Sequence, residues 1–183
     1  DSAAGGGPSP IVDGRPVSLP IPANNNPSAT TYGQLGLGEL AAKASRGRLG
    51  DKDNCHHDPM FLADEQAMLG QCGAAQTHLA RHGVCEGDLF VFFGLFQGHN
   101  EARHHRIFGW LEVSECLNLA DAPARQLAQL QKLGFPHALG LHARNDCVYS
   151  GRGGTARLAS DFLRLSVTEG PPSLWQVPAW LSE

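Results

Sequence analysis

The chain has 183 residues and a formal net charge of −4, enough length to bury a sizeable core without disulfide or metal staples. Its composition, 42% hydrophobic and 17% charged with 22 glycines and 12 prolines, describes a soluble, loop-rich globular protein and excludes a disordered or fibrous one. The acidic balance, with a pI of about 6.1, argues against a protein that grips long nucleic acid by bulk charge and favours a small ligand or a local basic patch.

No stretch approaches the ~18 consecutive apolar residues of a membrane span, and no charged, then apolar, then small-residue leader opens the chain. The first residue is Asp1, not Met, which leaves room for residues upstream. The five cysteines, Cys55, Cys72, Cys85, Cys116 and Cys147, are odd in number and form no Cys-x-x-Cys pair. That pattern suits reduced thiols in a cytoplasmic protein and speaks against a disulfide framework or a cysteine-rich zinc site.

From the N-terminus, Ile11-Val12 and Val17-Ser18-Leu19 flank Asp13-Gly14, which predicts a short hairpin, held at an edge by Pro16 and Pro20. A polar turn is expected at Asn24 to Asn26. Leu35, Leu40, Ala41 and Ala44 recur at near-helical spacing between Tyr32 and Leu49, and a second helix is expected from Ala74 to His82 with Gly83 as its stop. Asp88 to Phe96 is the clearest strand, and its near-continuous apolar run predicts burial on both faces. A polar loop from Gln97 to Arg106 leads to a partner strand, Ile107 to Val113. Asp121 as cap, Pro123 in the first turn and the stripe Leu127, Leu130, Leu133 predict a third helix that Gly134 ends. Further strands are expected at Asp146 to Tyr149 and Phe162 to Thr168, and the Trp175 and Trp180 tail should pack on the rest. No repeat or linker divides the chain, so residues 1–183 read as one domain.

The most site-like stretch is Cys55-His56-His57-Asp58-Pro59. Imidazole titrates near neutrality and a carboxylate fixes its tautomer, so these residues could supply a metal ligand, a base and its orienting group. Neighbours point in different directions, so at most two of the three can meet one ligand. Gln71 sits at the mouth of a small-residue stretch that ends in His78. The stretch from His99 to Arg106 is the one local concentration of positive charge, suited to a phosphate. His137, His142, Arg144 and Asn145 form another polar set. Gly151-Arg152-Gly153-Gly154-Thr155 lacks the lysine and the glycine spacing of a phosphate-cradling loop and reads as a flexible turn.

An ordered succession of motifs then resembles a known family. Asp1-Ser2, Ser9-Pro10-Ile11, Asp13-Gly14, Leu19-Pro20-Ile21-Pro22, Thr31-Tyr32-Gly33, His57-Asp58-Pro59 and Gly87-Asp88-Leu89-Phe90 are joined by Phe108-Gly109-Trp110-Leu111, Pro136-His137, Val148-Tyr149, Leu165-Ser166-Val167-Thr168 and Trp175-Gln176-Val177-Pro178. Together they are similar to the nucleotide-modification-associated domain of the third type, nearly end to end. The resemblance implies association with systems that modify nucleic-acid bases, without implying a reaction. It favours the matched polar residues Asp1, His57, Asp58, Gln71 and His137 over the unmatched His56, His99 and His142. Gly87 to Val113 also resembles the core hairpin of PUA-like barrels, which hold a flipped or modified base in the barrel mouth.

The expected fold is therefore α+β, a mixed or barrel-like β-sheet of PUA-like character with three or four helices around it. The expected function is an enzyme acting on a nucleobase or nucleotide, open to assistance by a divalent metal, with other components of a base-modification system as partners. Asp1, His57, Asp58 and Gln71 are the candidate catalytic groups, and His57, Asp58 and His78 the candidate metal ligands. Arg103, His105, Arg106, Trp110, His137 and Tyr149 are the candidate substrate contacts. The alternative is a non-catalytic module that reads a modified base, with Trp110 or Tyr149 stacking on it.

Overall fold

A computed structural model describes residues 7–23, 27–140 and 143–181. Its strands are β1 (Ser9–Val12), β2 (Arg15–Pro16), β3 (Ile21–Pro22), β4 (Cys55–His56), β5 (Met60–Phe61), β6 (Gln66–Gln71), β7 (Leu89–Gln97), β8 (His104–Asn118) and β9 (Cys147–Thr155). The helices are α1 (Gly38–Ser45), α2 (Gly73–Arg81) and α3 (Ala124–Lys132). Seven strands form one curled half-barrel in the order β2-β1-β7-β8-β9-β6-β5, and β3 pairs with β4 apart from it. Only β1 and β7 run parallel, so the sheet is mixed and the architecture is the expected α+β.

The hairpin at Asp13-Gly14 forms as expected. Both residues take left-handed φ, 49° and 74°, the geometry whose twist matches the flanking strands. Pro16 pairs with Ile11 on the edge strand β2, where its missing N–H costs no ladder bond. In the sheet centre the side chains alternate. Met68 and Val148 point with Leu119 and Phe135 toward Leu127 and Leu130 of α3, while Leu69 and Tyr149 point with Leu111 and Val113 toward Leu79 of α2. Two helices therefore cover opposite faces of β6 and β9, as a period of two requires. A third cluster of Tyr32, Ala41 and Cys55 seats α1.

Several expectations need correction. The β7 run is not buried on both faces: Phe96 is fully covered but Phe93 is 51% exposed, because one side of the strand lines a cavity. The Gly151 to Thr155 segment is the second half of β9, not a turn. A Cβ on Gly151 would meet the backbone of Glu112 and Ser114, and one on Gly153 the Trp110 carbonyl and Ala67, so glycine here permits close strand approach. Phe162 to Thr168 forms no regular strand. Asp161–Leu163 is a 3-10 turn closed by the Ser160 hydroxyl, followed by single bridges, Arg106 to Arg164 and Ser166 to Trp175. The polar loop ends early, since β8 begins at His104. Helix α3 starts after Pro123 without a side-chain cap from Asp121. Strand β6 carries no clear strand signal in the sequence, its apolar core being only Ala67 to Gly70. The expected Asn24 to Asn26 turn lies outside the described residues. The tail packs: Trp175 meets Phe93 edge-on at 4.9 Å, and Trp180 Nε1 donates to the Phe162 carbonyl.

Candidate active site

Four segments distant in sequence meet at one end of a cavity of about 730 Å³ between β7, β6 and α2. The first is Cys55 to Pro59. The Asp58 N–H donates to the His56 carbonyl at 2.9 Å, a three-residue turn centred on His57. It brings the side chains of His56 and Asp58 to the same cavity and leaves His57 off its lining, where burial pushes the imidazole pKa down against the opposing charge of Asp58.

The second segment is the end of β6. The Gly70 N–H donates to both Asp58 carboxylate oxygens, at 3.0 and 3.2 Å. A Cβ on Gly70 would lie inside the His137 ring, so the imidazole packs flat on bare backbone. The third segment, the 3-10 turn Pro136–Leu139, presents His137. The fourth is Asp146, fully buried just before β9, whose carboxylate lies 2.6 Å from His137 Nδ1. A carboxylate can only accept, so Nδ1 carries the proton and Nε2 is the atom turned to Asp58 and His56.

Burial alone would lower the His137 pKa, but its hydrogen bond to Asp146 and the attraction of the Asp146 and Asp58 carboxylates raise it to about 9. The two carboxylates thus create a place for positive charge. Asp58 Oδ2 lies 3.6 Å from His137 Nε2 and 3.8 Å from His56 Nε2, beyond good hydrogen-bond reach. Donor atoms bound at ~2.1 Å to one ion with a tetrahedral angle sit roughly 3.4 Å apart, close to these spacings. Two groupings of ligand atoms within 4.8 Å occur among the described residues: His56, Asp58, His137, and Cys72, His137, Asp146. The second is the poorer donor set, because Asp146 already occupies His137 Nδ1 and burial with the nearby carboxylates keeps the Cys72 thiol protonated.

Gln71, Cys72 and His78 also line the cavity, and its other walls are apolar: Leu69, Ala75, Leu79, Phe90, Phe92, Phe93 and Phe108. An apolar chamber with a few convergent ionisable groups is the usual form of a small-molecule site.

Residues 1–183 match the model of nucleotide modification associated domain 3. The chain belongs to that family. No curated protein and no solved structure matches it, and the likeness to PUA-like barrels is not shown. The family's description ties this nucleotide modification associated domain 3 chain to nucleotide modification, and no helix among its described residues is long and apolar enough to cross a membrane.

Within this family member the residues singled out by sequence distribute as follows. Asp58, Gln71, His78 and His137 line the one cavity, Gln71 at the end of β6 and His78 on α2. His57 lies beside it, and neither His57 nor His78 belongs to a three-ligand group. Tyr149 is buried behind the cavity, its hydroxyl donating to Gln76 and its ring 5.1 Å from Phe90. Trp110 packs under the Arg152 guanidinium at 5.5 Å. Arg106 is 2% exposed and donates to the Ser160 carbonyl, whereas Arg103 and His105 line an adjoining hollow. Asp1 and His142 lie outside the described residues. Sequence reasoning set His56 aside and passed over Asp146. The first was detectable in the His-x-Asp spacing, since alternate residues of an extended chain can share a side. Asp146 carried no such signal.

Proposed function

We propose that the chain is an enzyme acting on a nucleobase or nucleotide in a base-modification system, assisted by a divalent transition metal. The observation that carries the reading is the convergence of His56 Nε2, Asp58 and His137 Nε2 within 4.8 Å at the end of an aromatic chamber. Asp146 is the positioning residue, holding the His137 tautomer that turns Nε2 toward Asp58. Two imidazoles and one carboxylate suit zinc or ferrous iron and leave coordination positions open. The ion would supply a Lewis acid that activates water or polarises a ring substituent near neutral pH. The rings of Phe90, Phe92, Phe93 and Phe108 would hold a planar base by stacking and edge contacts, and Gln71 and His78 offer hydrogen bonds to its edge.

Metal analysis of the purified protein, with mass spectrometry of nucleotides and oligonucleotides incubated with it, tests the reading. About one divalent ion per chain is expected, lost in His137→Ala and bound roughly 10- to 100-fold more weakly in Asp146→Asn, with product formed only by the loaded protein. A metal-free protein that binds an oligonucleotide carrying a modified base and returns it unaltered would instead establish the non-catalytic reader.

A further inference from the structure

Two hollows continue from the chamber. The first, of about 530 Å³, shares Asp58, Pro59, Phe93 and Phe108 with it and extends to Arg103 and His105. The second, of about 690 Å³, shares Arg103 and Ala44 with the first and is bordered by Lys43, Arg46 and His99. The three hollows therefore adjoin one another in series, as one furrow, from the His56, Asp58 and His137 cluster to a group of cations.

Those cations come from two places. Lys43 lies in the last turn of α1 and Arg46 at its C-cap, while Arg103 precedes β8. All three are exposed, and none forms an ion pair among the described residues. Among the described residues Asp13 is the one carboxylate that lines this hollow, with the Glu101 side chain beside it against Gly98. Of the same basic stretch, His104 is buried against the Ala102 carbonyl and Arg106 against that of Ser160. On a chain of net charge −4 a concave strip lined by three cations and one carboxylate is the place where anions accumulate, and guanidinium groups match phosphate oxygens bidentately.

We infer that the Lys43, Arg46 and Arg103 furrow binds the phosphates of the substrate whose base occupies the chamber. The inference rests on the chamber being a nucleobase site. It makes the substrate a phosphorylated nucleotide, its phosphates supplied either by the 5′-polyphosphate of a free nucleotide or by the backbone of a single strand.

Calorimetric titration of the purified protein with the deoxynucleosides, their 5′-triphosphates and a single-stranded mixed-sequence 8-mer tests it, at 50 and 200 mM salt. Wild-type protein should bind the triphosphate or the 8-mer at least 10-fold more tightly than the nucleoside. In a Lys43→Ala, Arg46→Ala, Arg103→Ala variant that gain should disappear, and with it a salt slope of about −2, as expected for roughly three phosphate contacts. Arg103→Ala alone should remove part of the gain. A larger gain for the triphosphate identifies a free nucleotide, and a larger gain for the 8-mer identifies a strand. If the nucleoside binds and phosphates add nothing, or if the variant keeps the full gain, the furrow assignment falls while the chamber reading stands. If no probe binds wild-type protein, the chamber reading fails as well.

Discussion

Gly70 is the point at which the Asp58 carboxylate, the His137 ring and a strand backbone touch. Its N–H holds Asp58, and its missing side chain leaves the space that the imidazole fills. Gly70→Ala should therefore displace His137 from both carboxylates, weakening metal uptake at least 10-fold and costing about 1–3 kcal/mol of stability as an overpacked site. Unchanged metal content in that variant would mean the ring can move without consequence. His104 makes a different residue-scale prediction. Burial, and to a lesser extent the charges of Arg164 and Arg106, hold its pKa below the ordinary 6.5, although the Ala102 carbonyl and Glu101 oppose this. Below pH 6.5 the unfolded chain gains a proton there that the folded chain resists. Stability should fall as pH drops through that value and level off once the folded imidazole protonates. His57, also lowered by burial, adds to the same limb. His104→Gln should show a smaller loss than wild type between pH 7.5 and 5 in urea unfolding, and an equal loss would show that His104 titrates freely.

At the scale of elements, β7 and β9 explain how composition misleads. The aromatic run of β7 has the pattern of a strand buried on both sides, yet part of it faces the chamber, so Phe93 becomes a wall instead of core and Phe92 serves as both. The glycines of β9 have the composition of a turn, yet they pair with β8 residue for residue from Gly109↔Thr155 to Val113↔Gly151. Their role is steric, and Gly153→Ala should force the Trp110 backbone and Ala67 apart. A loss of about 2 kcal/mol, measured as a lowered midpoint in thermal unfolding, is expected, and a midpoint equal to wild type would contradict the close packing. The helices were more legible. Helices α2 and α3 end at Gly83 and Gly134, whose φ values of 70° and 73° are those that glycine adopts without strain, so the stop signals in the sequence had a direct local cause.

For the molecule as a whole, local chemistry in the chain determined the Asp13-Gly14 hairpin, the three helices, the central β7 and β8 pair and the α+β class, because turn geometry, helix stops and side-chain periodicity act over a few residues. The succession of motifs also determined the family. The tertiary structure alone decided which of the histidines and carboxylates stand together. Residues 56 and 58, 70, 137 and 146 meet because β6 and β9 lie side by side and the 3-10 turn folds back over them. No local pattern encodes that contact, and nine histidines of identical chemistry differ only in what surrounds them. The basic furrow has the same origin. A net charge of −4 and one cationic loop suggested a single patch near residue 103, but strand pairing buried Arg106 and packing brought Lys43 and Arg46 from sixty residues away, since the position of a charge in space depends on long-range contacts that sequence order does not carry.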